Sequence, residues 1–353
     1  MSTGRSPNDE YLDDPPEGEW IEDMLPECSR RSIPLGVDDE GPISATLVRY
    51  DGELGPQGTE DEPLAPVLHI HGWTDYFYNL PKARQWALWG RRFYALDLRK
   101  YGRSLRSWHT PGYISDLAEY DAEIGAALAI IAEAHPQAPA PLLHAHSTGG
   151  LIAALWAQRH PRSLSALILN SPWLELSGDV PARATIEGLL TPLSHLNPRR
   201  PLKIPKIDNY WQSLSDEARG EWHLHPRMRP RNSFPITAGW MRAVMAGHRS
   251  IAEGLDLELP LLVLLSTSTV YRRQWSSEHQ AADAVLDVDL LAKRAVRLGR
   301  RVTVLRQRGA LHDVFASEET VRTASFEELR RWLLAYAPEV RSTSAPTAST
   351  AAP

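Results

Sequence analysis

The stretch Pro141 to Ala154, PLLHAHSTGGLIAA, decides the fold that we expect for this chain. A short, mostly apolar run leads to a cluster of small residues around Ser147, and helix-forming residues follow at once. This order predicts a strand, a sharp turn and a helix, with Ser147 at the tip of the turn. A simpler alternative is an ordinary strand-to-helix turn whose serine caps the helix.

The same stretch resembles the nucleophile elbow of α/β-hydrolases, G-x-S-x-G, with Ala145 in place of the first glycine. Three other segments resemble the same superfamily: an H-G pair after the apolar strand 66–70, a D-L-R loop at 97–104 and a G-x-x-H segment at 309–312. The resemblance covers roughly residues 42–338. It is strongest to the monoacylglycerol lipase, lysophospholipase and serine aminopeptidase-like group.

That resemblance implies an α/β protein with the α/β-hydrolase fold, a mostly parallel central sheet flanked by helices and an inserted cap. Alternating strand and helix patterns agree with a parallel sheet, in which all the loops at the carboxyl ends of the strands open at one edge. We therefore expect one site to collect the residues that follow strands ending near Ile70, Ala145, Leu265 and Leu305.

The resemblance also assigns roles to residues. Ser147 is the expected nucleophile and His312 the expected base. The acid that normally follows the strand 259–265 is missing from STST at 266–269, so we assign the displaced Asp283, with Asp287 and Glu175 as reserves. The order serine, acid, histidine is that of α/β-hydrolases.

The H-G pair at 71–72 lies where the superfamily provides one of two oxyanion-binding amides. Two main-chain N–H groups must point at the oxygen that becomes negative when a carbonyl is attacked. The expected donors are the amides of Trp73 and Thr148.

Composition narrows the possible partners and locations. The net charge of the 353 residues is -6, but residues 1–30 alone hold nine acids and two bases, so the rest is nearly neutral. A nucleic-acid-binding protein should instead carry a basic face.

The single cysteine, Cys28, precludes an intrachain disulfide and is expected to be inert. No signal peptide or apolar membrane span is recognisable, so we expect a cytoplasmic protein without a transmembrane segment.

The pattern along the chain divides it into four parts. Residues 1–30 are expected to form an acidic, disordered N-terminal arm, and 339–353 a disordered tail. Residues 31–173 and 256–338 should form the hydrolase core. Residues 174–255, rich in Pro, Trp and Arg, should form a cap or lid that covers the serine and selects the substrate. Its arginines could meet an anionic head group, although a solvated face of loops and short helices is the better explanation of any single arginine.

Taken together, these patterns predict a serine hydrolase that cleaves a small-molecule carboxylic ester, of lipid character if the lipase resemblance extends to the substrate, through an acyl-enzyme and without metal or organic cofactor. A peptidase, thioesterase, C–C hydrolase or acyltransferase would use the same triad. Two alternatives of other kinds remain: a non-catalytic binding protein, and a metal-dependent hydrolase built on His69, His71 and His146. The sequence does not indicate the oligomeric state.

Overall fold

A computed structural model describes residues 12, 14–56, 63–177, 188, 192–205 and 207–337. The expected tail at 339–353 and residues 1–11 and 13 of the expected N-terminal arm lie outside these residues. Among the described residues, no helix is both long enough and apolar enough to cross a membrane.

The core is one twisted sheet in which the described strands have the order β1-β2-β3-β5-β4-β6-β7-β8-β9. The first three strands and β5 pair antiparallel, and β5, β4, β6, β7, β8 and β9 form a continuous parallel region. The expected α/β architecture with a mostly parallel sheet is confirmed. The strands are β1 Ile21–Glu22, β2 Cys28–Asp38, β3 Gly41–Tyr50, β4 Val67–Ile70, β5 Phe93–Asp97, β6 Leu142–His146, β7 Ala166–Asn170, β8 Leu261–Ser266 and β9 Val302–Gln307.

The central strands β4, β6, β7 and β8 are buried along their whole length, as expected for strands covered by helices on both faces. The described α-helices are α1 Leu80–Leu88, α2 Asp121–Ala134, α3 Thr148–Arg159, α4 Asn209–Leu214, α5 Ala238–Glu253, α6 Val288–Ala295 and α7 Glu319–Tyr336. Helix α3 begins immediately after the tip of the elbow, which fixes Ser147 at the carboxyl edge of the sheet.

The N-terminal region corrects one expectation, because the segment 21–30 is part of the sheet and not a disordered arm. Strand β1 pairs with β2, and β2 pairs with β3 from Cys28 opposite Tyr50 onward. Asp23 is buried and forms an ion pair with Arg103 at 2.7 Å. The acidic composition is therefore compatible with folding, since this carboxylate has a buried cationic partner.

The chain between β7 and β8 contributes no strand to the sheet in its described part, and α4 and α5 lie there. Helix α5 falls inside the range 174–255 assigned to the cap, yet it packs against α3 of the core. Gly247 of α5 lies against Leu151 and Leu155, and Trp240 and Val244 belong to the main hydrophobic core.

Candidate active site

The backbone at Ser147 has the shape of a strained elbow. Its φ of 53° and ψ of -119° lie where a non-glycine residue is rarely found. Two main-chain hydrogen bonds hold this conformation. The Ser147 N–H donates to the Asn170 carbonyl at 3.0 Å, and the Ser147 carbonyl accepts from the Trp173 N–H at 2.9 Å. Helix α3 also approaches the loop after β4 closely, because a Cβ at Gly149 would overlap the carbonyl oxygen of His71. The sharp strand–turn–helix expected here is present.

His312 lies on the loop after β9 and joins the two other residues expected in the triad. Its Nε2 is 2.9 Å from Ser147 Oγ, and its Nδ1 is 2.8 Å from Asp283 Oδ2. All three side chains are buried. Because a carboxylate accepts only, Nδ1 carries the proton, which leaves Nε2 free to accept the proton of the serine hydroxyl.

Asp283 lies on the segment between β8 and α6, where residue 283 forms a parallel bridge to Thr269. Its Oδ1 accepts hydrogen bonds from the N–H groups of Val285 and Leu286, both at 2.8 Å, so only Oδ2 is directed at His312. The reserve candidates have other partners. Asp287 caps α6 by accepting from Asp289 and Leu290 N–H, and Glu175 is paired with Arg294.

The two expected oxyanion donors flank the serine. Thr148 is the first residue of α3, and Trp73 lies on the loop that follows β4. In the described structure neither main-chain N–H donates to a protein acceptor. The loop is held by His71, whose Nδ1–H donates to the carbonyl of Gly72 at 2.7 Å and whose Nε2 accepts from Leu98 N–H at 3.1 Å. Both amides are therefore available to a ligand, and their role stays a prediction.

The histidines considered for a metal site are occupied by the sheet backbone. His71 uses both ring nitrogens as described, and Nδ1 of His69 and of His146 bonds the carbonyls of His144 and Asn170, each at 3.0 Å. Within the described ranges, no three His, Cys, Asp or Glu side chains are grouped as a metal site would require. In the described structure, His71 thus uses both ring nitrogens in main-chain hydrogen bonds, and His69 and His146 each use Nδ1.

A cavity of about 210 Å³ opens onto Ser147 and His312, and part of its wall comes from the segment between β7 and β8. The sequence predicts that this segment covers the serine, but it does not single out the residues that line the cavity, because nothing local distinguishes them from a solvated loop. The Tyr210 ring contacts the His312 ring edge-on with centroids 5.4 Å apart. Other lining residues from this segment are Ile207, Asp208, Trp211, Arg229, Pro230, Arg231 and Ser233.

Charges around the cavity are paired. Arg229 is buried against Asp75, and Arg231 pairs with Asp208 at 2.5 Å. Beneath the site, burial alone would raise the pKa of Asp313, but the charge of Lys82 and a hydrogen bond from Asn170 hold that pKa well below its ordinary value. Asp313 therefore stays ionised and faces Lys82, although it is adjacent in sequence to His312.

Comparison with known proteins agrees with this architecture. The model of the family described as "Serine aminopeptidase, S33" matches residues 61–288. A monoacylglycerol lipase of Mycolicibacterium smegmatis is 29% identical over 116 residues, which make up 32% of this chain. That alignment spans only 39% of the relative's length.

Two solved structures share the fold over most of their length. A soluble variant of the monoglyceride lipase of Saccharomyces cerevisiae, in complex with a substrate analogue, superposes with a TM-score of 0.59 at 15% identity, covering 90% of this chain and 99% of the other. The monoacylglycerol lipase of Paleococcus ferrophilus gives a TM-score of 0.54 at 19% identity, covering 79% and 97%. At these identities the likeness shows the α/β-hydrolase fold alone, which confirms the expected fold class.

Proposed function

The chain belongs to the serine aminopeptidase S33 family of α/β-hydrolases, and from that membership and the geometry around Ser147 we propose that it is a serine hydrolase cleaving carboxylic esters through an acyl-enzyme. One observation carries the proposal: an unbroken hydrogen-bonded chain runs from Asp283 through His312 to Ser147 Oγ beside an open cavity. A merely structural serine would not need an oriented base.

The proposed reaction follows from the atoms in contact. Ser147 Oγ attacks the ester carbonyl while His312 Nε2 takes its proton, and Asp283 stabilises the imidazolium. The Trp73 and Thr148 amides would hold the oxyanion. His312 then gives the proton to the leaving alcohol, and water, activated by the same nitrogen, releases the acid. These protein groups supply the nucleophile, the base and the oxyanion donors, so the proposed reaction uses no metal or cofactor.

We further propose that residues 207–237, the described part of the segment 174–255 between residue 206 and α5, act as the cap. In support, Tyr210 contacts His312, and Arg229 forms a buried ion pair with Asp75 of the core loop after β4. A substrate that reaches Ser147 would contact this segment, which would then influence which esters are accepted. The lipase relatives point to a small lipid ester as the substrate class.

The experiment that tests the proposal is active-site labelling. The purified protein is treated with a fluorophosphonate probe and the labelled residue is located by mass spectrometry, with Ser147→Ala as the control. We expect labelling at Ser147 and none in the variant, followed by turnover of p-nitrophenyl butyrate. A folded wild-type protein that takes up no label would reject the serine mechanism and favour a non-catalytic binding protein.

Labelling establishes the nucleophile but not the bond that is cleaved. Matched butyrate substrates, one a p-nitrophenyl ester and the other a p-nitroanilide, separate an esterase from the peptidase suggested by the family's description. We expect faster hydrolysis of the ester. A faster anilide would overturn the assignment to esters while leaving the triad intact.

A further inference from the structure

The loop after β4, which carries the expected oxyanion donor Trp73, is bound by the cap as well as by the sheet. Three consecutive residues of this loop contact the cap. Thr74 Oγ1 lies 2.6 Å from Ser233 Oγ, Asp75 forms an ion pair with Arg229, and the Tyr76 hydroxyl accepts from the His225 N–H at 3.0 Å. The mechanism above gives the first of these residues no role.

Thr74 has a backbone conformation that its own side chain disfavours. Its φ is 51°, in the left-handed region, where β-branched residues are rarely found. The residue is buried and forms a turn together with Trp73. A conformation of this kind persists only where the surrounding structure holds it. The shape of the turn therefore depends on what Thr74 contacts.

The hydroxyl of Thr74 ties this turn to the cap. Its Oγ1 accepts from the Phe234 N–H at 3.0 Å and shares a second hydrogen bond with the Ser233 hydroxyl. One hydroxyl can make both bonds at once, because it has two lone pairs and one proton. The Phe234 ring also packs edge-on against the Trp73 ring, with centroids 6.2 Å apart. Two adjacent cap residues thus hold two adjacent loop residues.

The Trp73 amide lies between Thr74 and a second fixed point at Gly72. A Cβ at Gly72 would lie 3.0 Å from Ser147 Cβ, and the Gly72 carbonyl accepts from His71 Nδ1–H at 2.7 Å. If Thr74 relaxed to a negative φ, the peptide units before it would rotate relative to Asp75. Gly72 has no room to follow, so the rotation would be taken up at Trp73.

We propose that Thr74 is a positioning residue whose hydroxyl, held by Ser233 and Phe234, maintains the positive φ that directs the Trp73 N–H at the developing oxyanion. The inference rests on the proposed serine mechanism and adds that the oxyanion donor is aligned only while the cap is bound to the loop. Thr74 touches no reacting atom in that mechanism. Its loss should therefore weaken stabilisation of the transition state and leave ester binding nearly unchanged.

The test replaces Thr74 with three residues that separate its hydroxyl from its φ. Valine keeps the shape and removes the hydroxyl, serine keeps the hydroxyl, and glycine lacks it but adopts a positive φ without steric cost. Turnover of p-nitrophenyl butyrate is measured per Ser147 that a fluorophosphonate labels at completion. In Thr74→Val, kcat should fall about 30-fold, less than the loss of about 100- to 1,000-fold on removing an oxyanion donor. Thr74→Ser should remain near wild type, and Thr74→Gly should lie between serine and valine.

A second measurement distinguishes misalignment of the oxyanion donor from general loss of structure. The ketone 1,1,1-trifluorohexan-2-one adds to an activated serine as a tetrahedral oxyanion. Its Ki should rise in Thr74→Val by the same factor as kcat falls, while KM for the ester stays near the wild-type value. A purely structural role would instead lower the number of sites that can be labelled and leave kcat per labelled site unchanged.

Thr303→Val is the matched control. The Thr303 hydroxyl also accepts an N–H bond, from Trp332 Nε1 at 2.9 Å, but this residue lies on β9 and is not part of the cavity wall. Both kcat and Ki should keep their wild-type values. Unchanged kcat and Ki in Thr74→Val, or a kcat as low in Thr74→Gly as in Thr74→Val, would overturn the inference. Labelling of wild-type Ser147 separates this failure from failure of the serine mechanism, because an unlabelled wild type would reject the mechanism itself.

Discussion

At the scale of single residues, what separates the candidate acids is the direction of one oxygen atom. Asp283 and Asp287 both accept two main-chain N–H bonds through Oδ1. Only Asp283 presents its second oxygen to a histidine, at 2.8 Å. The two carboxylates therefore have matched structural roles and, in our proposal, different chemical ones.

This match gives the first prediction. Asp283→Asn should lower kcat by about 10,000-fold, because an amide can donate to Nδ1 and so favours the wrong tautomer of His312. Asp287→Asn should leave kcat near wild type, since it only weakens the cap of α6. Ester turnover and urea denaturation are measured on both variants. A similar loss of kcat in both, at similar stability, would remove Asp283 from the triad.

The buried histidines give the second prediction. Burial lowers the pKa of His69 and His144 well below the usual value, and that of His146 to about 4. Below pH 6.5 the unfolded chain binds protons that the folded chain does not, so the free energy of unfolding should fall as the pH drops from about 6.5 toward 4.

His144 can be replaced to test this, because both of its ring nitrogens are buried without partners. His144→Leu should raise the free energy of unfolding at pH 7 by about 1–2 kcal/mol. It should also reduce the loss between pH 7 and pH 5, since one proton fewer is taken up on unfolding. His223→Leu, at an exposed position, is the control and should leave the free energy of unfolding at pH 7 near the wild-type value. A steeper acid slope in the His144 variant would contradict the linkage argument.

At the scale of secondary-structure elements, the elbow depends on the close approach of α3 to the loop after β4. Gly149→Ala would push a Cβ into the carbonyl of His71, which has no room to move because its own ring is bonded on both sides. We expect destabilisation of about 1–3 kcal/mol and a loss of roughly 100-fold in kcat, as the oxyanion loop shifts away from Ser147.

Gly125→Ala is the control for this variant. Gly125 also lies inside a helix, but no atom lies within 4 Å of the Cβ it would acquire. This substitution should stabilise the protein by about 0.5–1 kcal/mol through helix propensity and leave ester turnover unchanged. Thermal denaturation and p-nitrophenyl butyrate kinetics of the two variants check both expectations. A Gly149→Ala protein of wild-type activity would show that the loop is free to move.

At the scale of the whole molecule, the N-terminal strands are tied to the core through one buried cation. Arg103 lies between Asp23 and Asp97, at 2.7 Å and 2.8 Å, and all three side chains are buried. Burial alone would raise the pKa of Asp23, but the charge of Arg103 lowers it. An ion pair between Asp23 and Arg103 links the expected N-terminal arm to the core, and the amino-acid composition does not reveal this pair.

Replacing Arg103 should therefore lower the stability of the whole protein and not only of a loop. Arg103→Met removes the buried cation that two buried carboxylates share, and it should lower the free energy of unfolding by about 3–5 kcal/mol. The surface pair of Arg84 and Glu27 provides the control, because water solvates both groups after Arg84→Met and the denaturation midpoint should not move. Equal midpoints for the two variants would show that the buried ion pairs of Arg103 contribute nothing to global stability.

The local sequence was sufficient to predict features that a few consecutive residues determine. The central strands are apolar runs, the elbow is a cluster of small residues around a serine, and the G-x-x-H segment follows the last strand. These patterns gave the fold class and the placement of Ser147 and His312, because a parallel sheet brings the carboxyl ends of its strands to one edge.

Features that depend on contacts between distant segments were decided only by the folded chain. Strand β2 contains Pro34, Gly36 and two arginines, so its sequence alone does not indicate a strand, and its pairing with β3 is visible only in the structure. The direction of the Asp283 Oδ2 atom toward His312 and the contact of Tyr210 with His312 each depend on where a side-chain atom points. Orientation of that kind is set by burial and hydrogen bonding across the whole molecule, and residue spacing does not encode it.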